Sequence, residues 1–162
     1  MKLAVVYHSE TGNTAQVAEM VAQGAQEAGE LEVKTMEINE IDADFLTAAQ
    51  AVIFGTPTYV GDFSWQIKKW FDEDSKGTYD LSGKLGAAFA TENYFGGGAD
   101  SALLTLAGHM MVKGMIVYSG GAGAGKPYTH YGAVCLAEGT EEQQERAEIF
   151  GRRVASKALE LF

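Results

Sequence analysis

The chain has 162 residues, 46% of them apolar and 21% charged, with a formal net charge of -10 and an isoelectric point near 4.7. That length fills one core and not two, so a single domain over residues 1–162 is expected. The acidity excludes a nucleic-acid binder, whose phosphates require Lys and Arg, and leaves basic protein partners or small ligands.

The first element is Leu3–Tyr7, an apolar run that passes directly into a polar loop. It is too short for a signal peptide, and no later stretch approaches the ~20 apolar residues of a membrane span. A cytoplasmic protein without a membrane span is therefore expected. Further strand-like runs follow at Glu32–Met36, Ala51–Phe54, Leu85–Ala90 and Met115–Tyr118. Most are apolar without polar alternation, the pattern of parallel strands buried on both faces.

Helix-period stretches separate these strands. Val17, Met20, Val21 and Ala25 make one apolar stripe, and Phe63, Ile67, Trp70 and Phe71 make another. Between them, Ile41, Phe45 and Leu46 suggest a short helix within Asn39–Ala49, and a further helix is expected from Asp100 to Met111. Thr140-Glu141-Glu142-Gln143 has the form of a capping box. It opens a C-terminal helix with Phe150, Val154 and Ala158 on one face and (i, i+4) pairs at Glu142–Arg146 and Glu148–Arg152. The alternation predicts an α/β fold: a doubly wound five-stranded parallel sheet in a three-layer α/β/α sandwich. Ligands of such sheets bind at the carboxyl ends of the strands.

The loop after the first strand reads His8-Ser9-Glu10-Thr11-Gly12-Asn13-Thr14, just where a helix starts. Hydroxyls, one amide and one glycine meet free backbone N–H groups and the positive end of a helix dipole, which makes an anion cradle. All three arginines, Arg146, Arg152 and Arg153, lie near the other end of the chain, and the loop holds no lysine. A phosphate bound here would meet oriented dipoles instead of an ion pair.

The run Ser9-Glu10-Thr11-Gly12-Asn13-Thr14 resembles the phosphate loop of flavodoxins, which in that family holds the phosphate of FMN. Two more loops occupy the family's positions around the flavin ring: Gly55-Thr56-Pro57-Thr58-Tyr59-Val60-Gly61-Asp62 and Thr91-Glu92-Asn93-Tyr94-Phe95-Gly96-Gly97-Gly98. The resemblance spans nearly the whole chain and implies a flavodoxin-like fold with non-covalent FMN. It assigns cofactor contacts to Ser9–Thr14, to Thr56, Pro57, Thr58, Tyr59, Val60 and Gly61, and to Thr91, Glu92, Asn93, Tyr94, Gly97 and Gly98. The implied function is low-potential electron transfer between protein redox partners, here partners with basic surfaces.

The Gly-Thr-Pro-Thr wording, the glycine run, Leu104–Met111 and Tyr131-Gly132-Ala133 are more similar to the WrbA branch of NAD(P)H:quinone oxidoreductases. That branch implies the alternative, an enzyme acting on NAD(P)H and a quinone. It carries arginine where Tyr59 stands and has a longer chain, so small size, acidity and arginine-free loops favour the carrier.

Tyr59 and Tyr94 have flat faces suited to stacking on a flavin. Gly61 could turn its peptide to offer a carbonyl to N5 of the one-electron-reduced ring. Asp62 is expected to be the N-cap of the following helix, and Glu10, Asp62 and Glu92 to oppose an anionic reduced ring. Trp70 is expected in the core, with Trp65 there or on an exposed docking face. His109, at the end of an apolar helix, reads as structural, and the WrbA-like wording around it implies contact with flavin or substrate as the alternative. Neither a catalytic residue nor a metal site is assigned, since His8, His109 and His130 are dispersed. Gly120–Pro127 imitates a P-loop, but Pro127 stands where Ser or Thr must hold magnesium. It is expected to form a flap beside the flavin, with Lys126, Tyr128 and His130 open to a second ligand. Cys135, the lone cysteine, reads as a small buried hydrophobe.

Overall fold

Leu3 and Val5 face one side of the first strand and Ala4 and Val6 the other, and all four are fully buried. Ala51 and Ile53 against Val52 and Phe54, and Ala87 and Phe89 against Ala88 and Ala90, divide the same way. The period of two with apolar residues on both faces is the reason these segments read as unbroken apolar runs.

The computed structural model describes residues 1–74 and 77–162. Among them the strands are β1 (Lys2–Tyr7), β2 (Glu32–Glu37), β3 (Ala51–Tyr59), β4 (Asp62–Phe63), β5 (Leu85–Glu92), β6 (Ile116–Val117) and β7 (Ala133–Leu136). The α-helices are α1 (Asn13–Gln26), α2 (Ala43–Ala48), α3 (Trp65–Lys69), α4 (Ala99–Val112) and α5 (Glu141–Leu161). The parallel sheet runs β2-β1-β3-β5-β6, β7 pairs parallel with β5, and β4 turns back antiparallel on β3. The chain leaves β1 toward β2 on one side and returns to β3 on the other. The carboxyl ends of β1, β3 and β5 therefore frame the crevice where a ligand is sought.

Two strands differ from the sequence expectation. Met115–Tyr118 shrinks to Ile116–Val117, paired with Leu85 and Gly86, and the fifth position is completed by β7 alongside Phe89–Glu92. Residues 118–132 leave the sheet between the two pieces, and four residues of β7 are too short a run to stand out in the sequence. β3 continues five residues past Phe54, because Thr56 and Pro57 keep their register with Ala90 and Thr91. Much of the expected second loop is thus strand.

α1 and α5 cover one face. A Cβ on Gly24 would lie 1.8 Å from the Glu148 carbonyl oxygen, and one on Gly151 would lie 1.9 Å from that of Val21, so the two helices cross backbone to backbone. α2, α3 and α4 cover the other face, where the Phe54 ring lies 5.7 Å from Trp70 and 5.1 Å from Phe71 in a π-turn that extends α3. Trp70 is core, as its stripe indicates. The capping box of α5 is formed: Thr140 Oγ1 accepts from the Gln143 N–H, and Gln143 Oε1 from the Thr140 N–H. Glu142 meets Arg146 at 3.4 Å, but Arg152 turns away from Glu148 to pair with Glu27 on α1, the helix it packs against. Among the described residues no helix is long and apolar enough to cross a membrane.

Candidate functional site

The first loop joins β1 to α1 through Gly12, whose φ of 97° puts it in the left-handed region. Ser9 Oγ accepts from the N–H groups of Gly12 and Ala15, both at 3.2 Å, and so ties the loop to the first helical turn. The N–H groups of Asn13 and Thr14, in the first turn of α1, have no acceptor among the described residues. Thr11 is exposed beside them. Thr14 is buried, and its hydroxyl lies 2.8 Å from that of Thr91 at the end of β5.

The second loop is a hairpin. β3 brings up Thr58 and Tyr59, and Val60 and Gly61 turn the chain with φ of 52° and 79°. Two left-handed residues make a primed turn, the type that fits the twist of paired strands. Valine is strained there by about 1 kcal/mol or more, and Val60 is fully exposed. Thr56 and Pro57 are buried below the hairpin; Thr56 Oγ1 donates to the Pro57 carbonyl and accepts from the Ser64 N–H, so it braces the wall from inside. Asp62 is not the N-cap of α3: it lies in β4, its carboxylate accepts from the Phe63 N–H, and the return strand moves the cap to Ser64.

The third loop leaves β5 at Glu92 and reaches α4 at Gly98. The Glu92 carboxylate accepts from the Ala99 N–H at 3.2 Å and caps α4 from a distance. Asn93 and Tyr94 are exposed, and the Gly97 N–H closes a turn on the Tyr94 carbonyl. Gly98, φ 104°, packs under the hairpin, where a Cβ would lie 2.5 Å from Gly61 Cα.

The three loops enclose a cleft of about 470 Å³ lined by Glu10, Thr58–Gly61, Trp65, Glu92–Tyr94 and Gly97. Among the described residues no lysine or arginine lines it. Thr58 Oγ1 is buried in its wall without a hydrogen-bond partner among the described residues, and Glu10, in the loop that leads into α1, is part of the lining. Aromatic walls, an orphaned hydroxyl and a helix start fit a flat heteroaromatic ring with an anionic end, which is the form of FMN. Trp65, the first residue of α3 and 66% exposed, stands in the cleft and not in the core; its place past a hairpin turn was not readable as such from the sequence.

Gln66 Nε2, on α3, donates to the Glu10 carboxylate at 2.8 Å, and His8 Nε2 lies 3.7 Å from it. Burial first, and then this carboxylate, push the Tyr59 phenol above its usual range. His8 is itself buried, with Nδ1 3.1 Å from Glu37 at the end of β2.

Residues 120–131 do not line the cleft, contrary to the expected flap. Gly121 bridges to Thr129, and Arg153 on α5 donates to the carbonyls of Gly125, Lys126 and Pro127. A 3-10 turn at Ala122–Ala124 stands where a P-loop would open an α-helix. His109 lies edge-on to Phe63 at 5.1 Å and Phe71 at 5.6 Å, with Nδ1 donating to the Thr105 carbonyl. Cys135 is fully buried in β7.

The flavodoxin family model matches residues 5–150. A flavodoxin of Clostridium saccharobutylicum is 49% identical over 162 residues, covering all of both chains. An NAD(P)H dehydrogenase (quinone) of Archaeoglobus fulgidus is 31% identical over 189 aligned positions, covering 99% of this chain and 98% of its own. Among solved structures, a flavodoxin from the domain Archaea superposes with a TM-score of 0.80 at 26% identity, over 98% of this chain and 99% of that one. With a cleft shaped for the cofactor, these likenesses settle the matter: the chain belongs to the flavodoxin family of FMN-binding electron-transfer proteins.

Proposed function

We propose that FMN lies with its phosphate at the start of α1, on Ser9, Thr11 and the open N–H groups of Asn13 and Thr14. Its ring lies in the cleft between Tyr59 and Tyr94 with Trp65 at the rim. One observation carries the reading: three loops far apart in sequence, the first of them leading into α1, close on one cleft. FMN supplies a ring that takes up and releases electrons. The protein's part is to bind the phosphate through dipoles, to shield the ring's faces with aromatic side chains and to surround it with carboxylates. Glu10 and Glu92 in the lining oppose negative charge on the ring and favour a low potential.

The partners we infer are redox proteins with basic surfaces, met in the cytoplasm, since a chain at -10 attracts cations and repels a polyanion such as NADPH. The relatives named NAD(P)H dehydrogenase (quinone) supply the second reading, direct reduction by NAD(P)H. Anaerobic rapid mixing of the holoprotein with NADPH, with and without a basic flavoprotein reductase, separates the two. The carrier is reduced only through the reductase, with rates that fall as salt is added. Bleaching by NADPH alone at about 1–10³ per second, the range of ordinary turnover, would make the protein a quinone reductase.

A further inference from the structure

His8 opens the first loop, and its ring is caught between two carboxylates. The residue is 6% exposed, and its backbone N–H donates to the Gly55 carbonyl of β3 at 3.1 Å. Nδ1 lies 3.1 Å from Oε1 of Glu37, at the end of β2, and Nε2 lies 3.7 Å from Oε1 of Glu10, in its own loop. The remaining partners of the two carboxylates are neutral. Asn39 donates its backbone N–H and its side-chain amide to the other oxygen of Glu37, and Gln66 of α3 donates to Glu10 at 2.8 Å. Among the described residues no lysine or arginine pairs with either carboxylate.

Nε2 has no hydrogen-bond partner among the described residues. A neutral imidazole carries one N–H, so either tautomer turns a bare nitrogen lone pair toward one of the two carboxylates. Only the doubly protonated ring presents an N–H to both. Glu10 also lines the cleft, where the other charged group is Glu92 and the other titratable ones are Tyr59 and Tyr94.

We propose that His8 is the cation of the cofactor site: its ring takes up a proton from solvent as FMN binds, and the resulting imidazolium bridges Glu37 and Glu10 behind the phosphate loop. In the free protein the Glu10 side chain is more than half exposed, and water screens its charge. FMN brings a phosphate and displaces water, which raises the cost of a second anion beside it. The added proton goes to Nε2 and is donated to Glu10 Oε1, while Nδ1 keeps its proton toward Glu37. Glu37, His8 and Glu10 then carry one net negative charge instead of two. More protons in the bound state than in the free state mean that affinity rises as pH falls and declines as the ring loses its proton.

The inference rests on the phosphate lying at the first loop, and riboflavin separates the two. FMN and riboflavin are titrated calorimetrically into the parent, His8→Gln and Glu10→Gln apoproteins, in buffers of different ionisation enthalpy, across the range of about pH 6 to 8.5 that spans histidine titration. Melting temperatures of the apoproteins check that they are folded. A phosphate ester takes its own second proton at about pH 6, so the difference between parent and variant carries the result. From about pH 8 to 6 the parent gains about tenfold in FMN affinity over His8→Gln, the size of one hydrogen bond to a charged group, and takes up a proton that the variant does not. Glu10→Gln, which keeps the acceptor and removes the charge, loses part of that gain. Riboflavin, which brings no phosphate, takes up no such proton. NMR spectra of the ring nitrogens in the unsubstituted protein read the same event directly: with FMN bound, both nitrogens of His8 carry protons to a higher pH than without it. Parallel pH profiles of parent and His8→Gln, or a His8 ring with one protonated nitrogen in the holoprotein at about pH 6, overturn the proposal. Riboflavin binding as tightly as FMN moves the phosphate away from the first loop, and the role of His8 falls with it.

Discussion

The hydroxyls of Thr14 and Thr91 lie 2.8 Å apart in the buried interior, joining the first turn of α1 to the end of strand β5 across 77 residues of sequence. Each is the other's partner, with Thr14 2% and Thr91 4% exposed. Replacing either by valine keeps the shape and strands the remaining hydroxyl, which should destabilise the apoprotein by about 1–3 kcal/mol in urea unfolding. The double valine variant should lose less than the sum of the singles, because it leaves no orphan. Strictly additive losses would show that the hydroxyls do not act as a pair.

Thr11 sits in the same loop with the opposite exposure, so its role separates from that of Thr14. Thr11→Ala should leave the urea midpoint of the apoprotein nearly unchanged while weakening FMN by about fivefold or more, the loss of one hydrogen bond. Riboflavin, which lacks the phosphate, should bind weakly to the parent and be indifferent to the substitution. A fluorescence titration in which Thr11→Ala weakens both ligands equally would move the phosphate away from this loop.

The sheet and the three loops were legible because each is written locally: apolar runs on both strand faces, and hydroxyls and glycine at a helix start. What was not legible depends on pairing across the chain. Ala133–Leu136 carries no strand signal until it lies beside Phe89–Glu92. Pro57 ends a strand in most sequence readings, yet here it stays in register with Thr91. Asp62 has the residue type of an N-cap, but the hairpin return takes it into β4. Trp65 reads as core or docking surface because the turn that carries it to the cleft depends on Val60 in a conformation valine rarely adopts. The 120–131 segment is held by Arg153, a residue of α5 that no local pattern connects to it.

Three helical glycines give a contrast that can be measured. Gly24 and Gly151 stand at the α1–α5 crossing, where a methyl group would enter the opposing carbonyl, while a Cβ on Gly108 in α4 meets nothing within 4 Å. Gly24→Ala and Gly151→Ala should each destabilise by about 1–3 kcal/mol or more as the helices are forced apart. Gly108→Ala should stabilise by roughly 0.5–1 kcal/mol, since alanine loses less backbone freedom in a helix. Urea midpoints of the apoproteins give the answer, and a destabilised Gly108→Ala would mean that something outside the described packing uses that space.

Cys135 supplies a pH dependence whose sign follows from burial. Its thiol, donating to the Gln143 carbonyl at 3.6 Å, is pushed up to about 11 from the usual 9.0 by desolvation, with the Arg146 charge pulling the other way. The folded state thus favours the neutral thiol. That preference is fully present below about pH 9 and is lost as pH rises through about 11, since above it both folded and unfolded chains carry the thiolate. Tyr7 and Tyr59, also raised by burial, and Lys84, lowered by it, titrate in the same alkaline range, so the parent alone cannot isolate the effect. The difference in stability between the parent and Cys135→Ala can. It should be constant from pH 7 to 8.5 and shrink steadily toward pH 11. At pH 8 the native thiol should also resist an aromatic disulfide reagent that labels it at once in urea. Rapid labelling of the folded protein, or a stability difference flat to pH 11, would mean that β7 opens to solvent far more readily than its packed edge against β5 implies.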